Sequence, residues 1–218
     1  MPRITDERRE ARREQVLEAA RACLQEHGLE AVSMEMIIER SGLSTGAVYG
    51  YFRGKNQIIN AVIVEGTAQM AEDLAPVLMN PDPPPLPEFV GQVLDTVVNF
   101  GRHKRGGIDR LLVSLHGWSH SQSEPALRAA TRVSYAGLRT LFTETVRRWQ
   151  AAGKFDAEVD PEGVAELLTS ITLGFVAQRA MAGSADVRAH VAALEALARS
   201  PVADCVEESS GSQRPGVL

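Results

Sequence analysis

The chain has 218 residues, two cysteines and a net charge of −5, with charged residues at 23% and aromatics at only 5%. Such a length allows one large or two modest domains burying about 70% of the unfolded surface, and the excess of alanine, leucine, arginine and glutamate over aromatics favours helix over sheet. A membrane span is not expected, because no apolar run approaches roughly 20 residues; nor is a secretory leader, since MPRITDERRE is too charged; nor a disulfide framework, since Cys23 and Cys205 stand far apart. The expected compartment is a reducing cytoplasm, with Cys23 an inert thiol on the apolar side of the first helix.

In chain order, Thr5 is a candidate cap for a helix running from Thr5 or Asp6 to near His27, where Gly28 supplies the stop. Ser33 caps a second helix with Met34, Ile37 and Ile38 on its inner side, and Gly42 ends it in a tight turn. Ser44 caps a third, opened by the small residues Thr45, Gly46 and Ala47. Val48 and Phe52, four residues apart, hold that helix inward, so Tyr49 and Tyr51 point out. Gly54 and Lys55 open a long helix through Ile58, Ile59, Val62, Val64 and Met70 to about Met79. The run Pro81-Asp82-Pro83-Pro84-Pro85 then forbids helix and makes a stiff connection. Further helices are expected from Leu86 to His103, from Gly107 to His120, and from Pro125 to about Ala152. Asp160-Pro161-Glu162 combines a capping carboxylate with a first-turn proline and starts a helix to Ala182. A last helix runs from Ala185 to Arg199, and from Ser200 the composition turns to that of a flexible tail.

The stretch from Ser33 to Lys55 therefore reads as helix, glycine turn, helix and the start of another. A capped helix with a slim beginning, flanked by outward Tyr and Lys, suits end-on approach to a DNA major groove, where free amides attract phosphate. The same pattern fits a plain packed helical hairpin. Charge does not separate the two readings. Residues 1–60 carry nine basic and nine acidic side chains, so the whole −5 lies downstream. The local excess is Arg3, Arg8, Arg9, Arg12 and Arg13, fit either to reach a DNA backbone or to form a solvated helix start.

The turn Gly-Leu-Ser, followed by Val48-Tyr49, Tyr51-Phe52 and Lys55, resembles the DNA-binding domain of TetR-type transcriptional regulators. The likeness extends back through Val16, Leu17, Ala20 and Leu24 to His27-Gly28-Leu29, roughly the first quarter of the chain. Residues 117–183, with Glu124-Pro125-Ala126-Leu127-Arg128 and Gly174-Phe175-Val176-Ala177-Gln178, are more loosely similar to the ligand domains of BetI-like members. The resemblance implies an all-α protein: a helix-turn-helix DNA-binding domain over 1–54, a ligand-binding and dimerisation domain over 55–199, and the tail 200–218. It implies a ligand-responsive homodimer on a palindromic double-stranded operator, paired through its last two long helices. Thr45, Gly46 and Ala47 would approach base edges, while Ser33, Ser44, Tyr49, Tyr51 and Lys55 position phosphate. Gly50 and Glu35 depart from the family pattern and favour shape readout over base contacts, while Ile38, where the resemblance implies alanine, sets the first helix pair slightly farther apart. Gly50 and the neutral charge also suit a second reading, a helical protein-interaction module that keeps the fold without reading DNA.

An aromatic set from separate helices (Phe100, Trp118, Tyr135, Phe142 and Phe175) is either core or the wall of an effector cavity. The resemblance predicts a mostly apolar small-molecule site with a few polar groups, here His116, Tyr135 and Gln178. His116 and His120 lie one turn apart, with His103 the nearest further imidazole in the sequence, but no third and fourth metal ligand is visible. No nucleophile elbow, phosphate loop or dinucleotide fingerprint is present, so neither an enzyme nor a bound cofactor is expected.

Overall fold

The computed structural model describes residues 5–101 and 110–199. Among them the chain forms helices only: α1 (Asp6–Ala31), α2 (Met34–Ser41), α3 (Thr45–Tyr51), α4 (Lys55–Leu78), α5 (Leu86–Gly101), α6 (Arg110–Ser121), α7 (Pro125–Ala151), α8 (Pro161–Ala182) and α9 (Val187–Arg199). The expected tail, Cys205, Arg3 and His103 lie outside the described residues. No helix among them is long and apolar enough to cross a membrane.

Local chemistry sets most of the boundaries. Thr5, Ser33 and Ser44 each accept a hydrogen bond from the amide three residues on, that of Arg8, Met36 and Ala47 respectively. The Asp160 carboxylate accepts from the amides of Glu162 and Gly163 at the start of α8. Gly42 closes α2 at φ 66°, a conformation that would strain a residue bearing a Cβ. Gly28 (φ 73°, ψ 176°) leaves helical geometry and supplies the expected stop, after which a separate short turn runs to Ala31 with Leu29 packed inward. One boundary differs from expectation. The last helix begins at Val187 and not Ala185, because Asp186 caps it by accepting from the Arg188 amide while buried Ala185 gives its carbonyl to Arg179.

Two clusters of buried side chains divide the packing. The first gathers Val16, Leu17, Leu24, Ile37, Val48 and Phe52 with Ile58, Ile59 and Val62 of α4. The second is built on Phe89, Leu94, Phe142, Trp149, Leu168 and Phe175. Helix α4 belongs to both: its first two turns serve the first cluster, while Leu74 and Leu78 serve the second. Val64, expected among its packed positions, is exposed. The proline-rich connection is pinned by Trp149, whose Nε1 donates to the carbonyls of Pro84 (2.9 Å) and Pro83 (3.3 Å). Phe89 meets the same indole edge-on at 5.1 Å, and Phe155 stacks at 6.1 Å. A buried tryptophan so surrounded joins two segments that are distant in sequence, 83–89 and 149–155.

Candidate nucleic-acid interface and adjoining cavity

The beginning of α3 is open to solvent. Ser44, Thr45 and Gly46 are exposed, and Ala47 is half-buried. Ser44 occupies the Ala47 amide, so the amides of Thr45 and Gly46, which have no acceptor within the helix, remain available. Val48 is fully buried beneath them and fixes the direction of the helix. Tyr49 stands 50% exposed. Tyr51 was expected to point outward, yet it is half-buried and packs against the first cluster with only part of its surface free. Ser33 is half-buried, its hydroxyl committed to capping α2. Lys55 is the first residue of α4, where Gly54 provides no side-chain cap and no acid occupies the first turn. That leaves a second helix start with free amides beside a lysine.

Ion pairing resolves the charge puzzle. Arg13 pairs with Glu10 and Glu65, Arg21 with Glu14 and Glu18, and Arg40 holds Glu26 by two hydrogen bonds. Those three cations are structural. Among the described residues, Arg8, Arg9, Arg12, Arg53 and Lys55 form no ion pair. A charge-balanced segment thus still presents cations to solvent. Glu35 is turned back on its own helix: its amide and the Ser33 hydroxyl hold the carboxylate below the ordinary range. Burial pushes the Cys23 thiol up, keeping it protonated and inert.

Behind this surface, a cavity of about 360 Å³ lies among α1, α4, α6 and α7. Phe100, Trp118 and Tyr135 line it together, three of the residues expected at an effector site. The other four lie elsewhere. Phe142 and Phe175 are fully inside the second cluster, and Gln178 is exposed on α8. The His116 side chain lies 3.6 Å from where a Cβ on Gly28 would stand, so it seats α6 against the break in α1. His120 is buried, one turn on, and its Nε2 has no partner among the described residues. No group of three or more His, Cys, Asp or Glu side chains among those residues could hold a metal ion.

Sequence reading missed several residues of the cavity: Arg21, Glu65, Thr67, Arg110 and Ser134. An aromatic stands out in a sequence poor in aromatics, whereas an arginine in a chain rich in arginine carries no local mark. Only its position against Phe100, with the guanidinium 5.4 Å from the ring centre, distinguishes Arg110.

Residues 16–62 match the family described as bacterial regulatory proteins, tetR family, and residues 101–206 match the BetI-type transcriptional repressor C-terminal domain. The HTH-type transcriptional repressor AcnR of Corynebacterium diphtheriae is 26% identical over 215 residues, covering 99% of this chain and 100% of that one. The HTH-type transcriptional regulator UidR of Escherichia coli is 22% identical over 169 residues, covering 76% and 80%. Among solved structures, a TetR transcription regulator from Haloarcula marismortui superposes with a TM-score of 0.70 at 20% identity, covering 85% of this chain and 95% of that one. GusR of Salmonella enterica gives 0.65 at 20% identity, covering 90% and 96%. At those identities the structural likeness speaks for the fold. With both ends of the chain matched to one family and the helix-turn-helix exposed, the protein belongs to the TetR family of DNA-binding transcriptional regulators, a non-enzymatic class.

Proposed function

We propose that this chain is a dimeric repressor released from a palindromic operator by a small molecule, with residues 1–54 as reader and 55–199 as effector and dimerisation domain. The observation that carries the reading is the double role of α4. Its first residue, Lys55, follows α3 after the three residues 52–54, and Thr67 and Gln69, farther along, wall the cavity. A ligand lodged against α4 therefore acts on the element that carries the reader. Thr45, Gly46 and Ala47 approach base edges, while Ser33, Ser44, Tyr49, Tyr51 and Lys55 set the register on phosphate.

Pairing through α8 and α9 is supported by what those helices leave uncovered. Leu167 is 58% and Met181 79% exposed, and with Ser170, Gly174 and Gln178 they fall on one outward stripe of α8. Nothing lies within 4 Å of where a Cβ on Gly174 would stand. Helix α9 contributes exposed Ala189, Ala193 and Ala196 and the 72% exposed Leu197. Small residues on both helices let a second copy approach closely. Two readers brought about 34–36 Å apart enter successive major grooves on one face of DNA. An effector need change that separation by only a few kcal/mol of differential binding.

The test is operator binding followed by fluorescence anisotropy across a salt series, on a duplex selected from random sequences. Lys55→Ala weakens binding and flattens the slope of log K against log salt by about one unit. Tyr49→Phe weakens binding, and both variants sediment as dimers. Affinity and slope unchanged in both would overturn the interface assigned here, and a chain that selects no duplex but captures a protein would favour the interaction module.

A further inference from the structure

Three concavities meet at Thr67 of α4 and Ser134 of α7. The 360 Å³ cavity reaches inward to Arg110 and Tyr135. A second space of about 590 Å³ runs as a groove between α4 and α7, walled by Ala71, Leu74, Leu127, Leu138 and Leu141. A third of about 130 Å³ passes Trp118 towards Val176 of α8. Together they form an elongated site with an apolar length and a polar end.

At the polar end one cation lacks a direct acid partner among the described residues. Glu14 and Glu65 line it, but both are already engaged, Glu14 by Arg21 at 2.6 Å and Glu65 by Arg13. Arg110 has no acid partner among the described residues; its guanidinium rests over Phe100. Burial and the positive charge of Arg21 disfavour its charged form, against the weaker pull of Glu18, Glu14 and Asp73. Tyr135, half-buried on the facing helix, makes no side-chain hydrogen bond among the described residues. A half-buried cation and a phenol donor bordering one cavity leave a place for a planar anion, which a guanidinium grips by two hydrogen bonds. We infer that the site binds an amphiphilic carboxylate, its head on Arg110 and Tyr135 and its apolar chain along the α4–α7 groove. This rests on the reading of 55–199 as an effector domain, and it names the chemical class of the effector.

The test uses the full chain without DNA and three probes of equal chain length below their micellar concentrations: decanoate, decanol and decyltrimethylammonium. Binding is read by quenching of tryptophan fluorescence and by the thermal midpoint. Decanoate binds about tenfold or more tighter than either of the others, the factor expected of a charge-assisted hydrogen-bonded pair away from bulk water. Arg110→Gln abolishes that preference and leaves decanol binding unchanged, while Arg110→Lys retains part of it. An unliganded thermal midpoint equal to that of the parent shows that the variants fold. Equal binding of all three probes, preference for the cation, no binding by a folded protein, or an Arg110→Gln variant that still prefers decanoate would each overturn the inference. Because no DNA is present, an Arg110-dependent preference supports the ligand class even where the operator complex ignores decanoate; that second result would instead sink the proposed release mechanism.

Discussion

The two ends of α4 lie in opposite kinds of packing. Around its first two turns, Val48, Phe52, Ile58 and Ile59 are sealed against α1 with 3% exposure or less. Farther along, the same helix faces space on the side of α7, where residues from Ala129 to Thr140 are mostly exposed and an apolar groove remains unfilled. The reader is rigid because three side-chain caps and one glycine turn fix short helices over a filled core. The far end keeps a hollow because its long helices are held elsewhere, by Phe89, Phe142 and Trp149. In the proposed function the two serve together, a reader of fixed geometry beside a volume whose occupancy can change. The ion pair between Arg13 and Glu65, with Glu65 also 3.8 Å from Arg21, ties the two ends across α1 and α4.

The largest expected effect tests whether the hollow is local. If the C-terminal helices were loose throughout, truncating their central aromatic would be mild. Trp149→Ala removes a fully buried side chain, two hydrogen-bond acceptors' shared donor and the edge-on contact to Phe89. It should cost about 3–5 kcal/mol in chemical denaturation. A loss under about 1 kcal/mol would mean that the dense side of this domain is also plastic.

How much of this was legible beforehand follows the same division. Thr5, Ser33, Ser44 and Asp160 act on amides two or three residues away, so a sequence displays both partners side by side. Gly42 likewise announces its own turn. The cavity depends on residues that only folding brings together: Arg110 has no acid partner among the described residues once Arg21 has taken Glu14 and Glu18 and Arg13 has taken Glu65. Aromatic character alone could not sort Trp118 and Tyr135, which border the hollow, from Phe142 and Phe175, which fill the core, because both uses need the same side chains. Gln178, which the resemblance implies at the pocket, is set outward with Met181 by helical rotation.

A paired substitution sharpens the contrast at intermediate size. Val48→Phe adds a ring where the site is 0% exposed, and it should destabilise by about 1–3 kcal/mol through overpacking. Ser134→Phe adds a larger increment of volume at the junction of the three concavities and should change stability by no more than about 0.5 kcal/mol. It should also displace decanoate. Equal costs at the two positions would show that the space beside α7 closes in solution.

A last test reads the hollow through a single phenol. Burial raises Tyr135 to about 12 from its ordinary value of 10, with no charge partner contributing. Its folded-state pKa thus lies above the unfolded one, so the protonated phenol's contribution to stability is whole below about pH 10 and is lost as pH climbs through about 12. Across that window the parent protein should lose stability relative to Tyr135→Phe, which has no proton to release. Phenolate absorbance gives the matching signal: the component missing from the Tyr135→Phe titration should be centred near pH 12. A component centred near 10 would mean that water already reaches this phenol freely, and the polar end of the cavity would then screen Arg110 too well to choose a carboxylate over an alcohol.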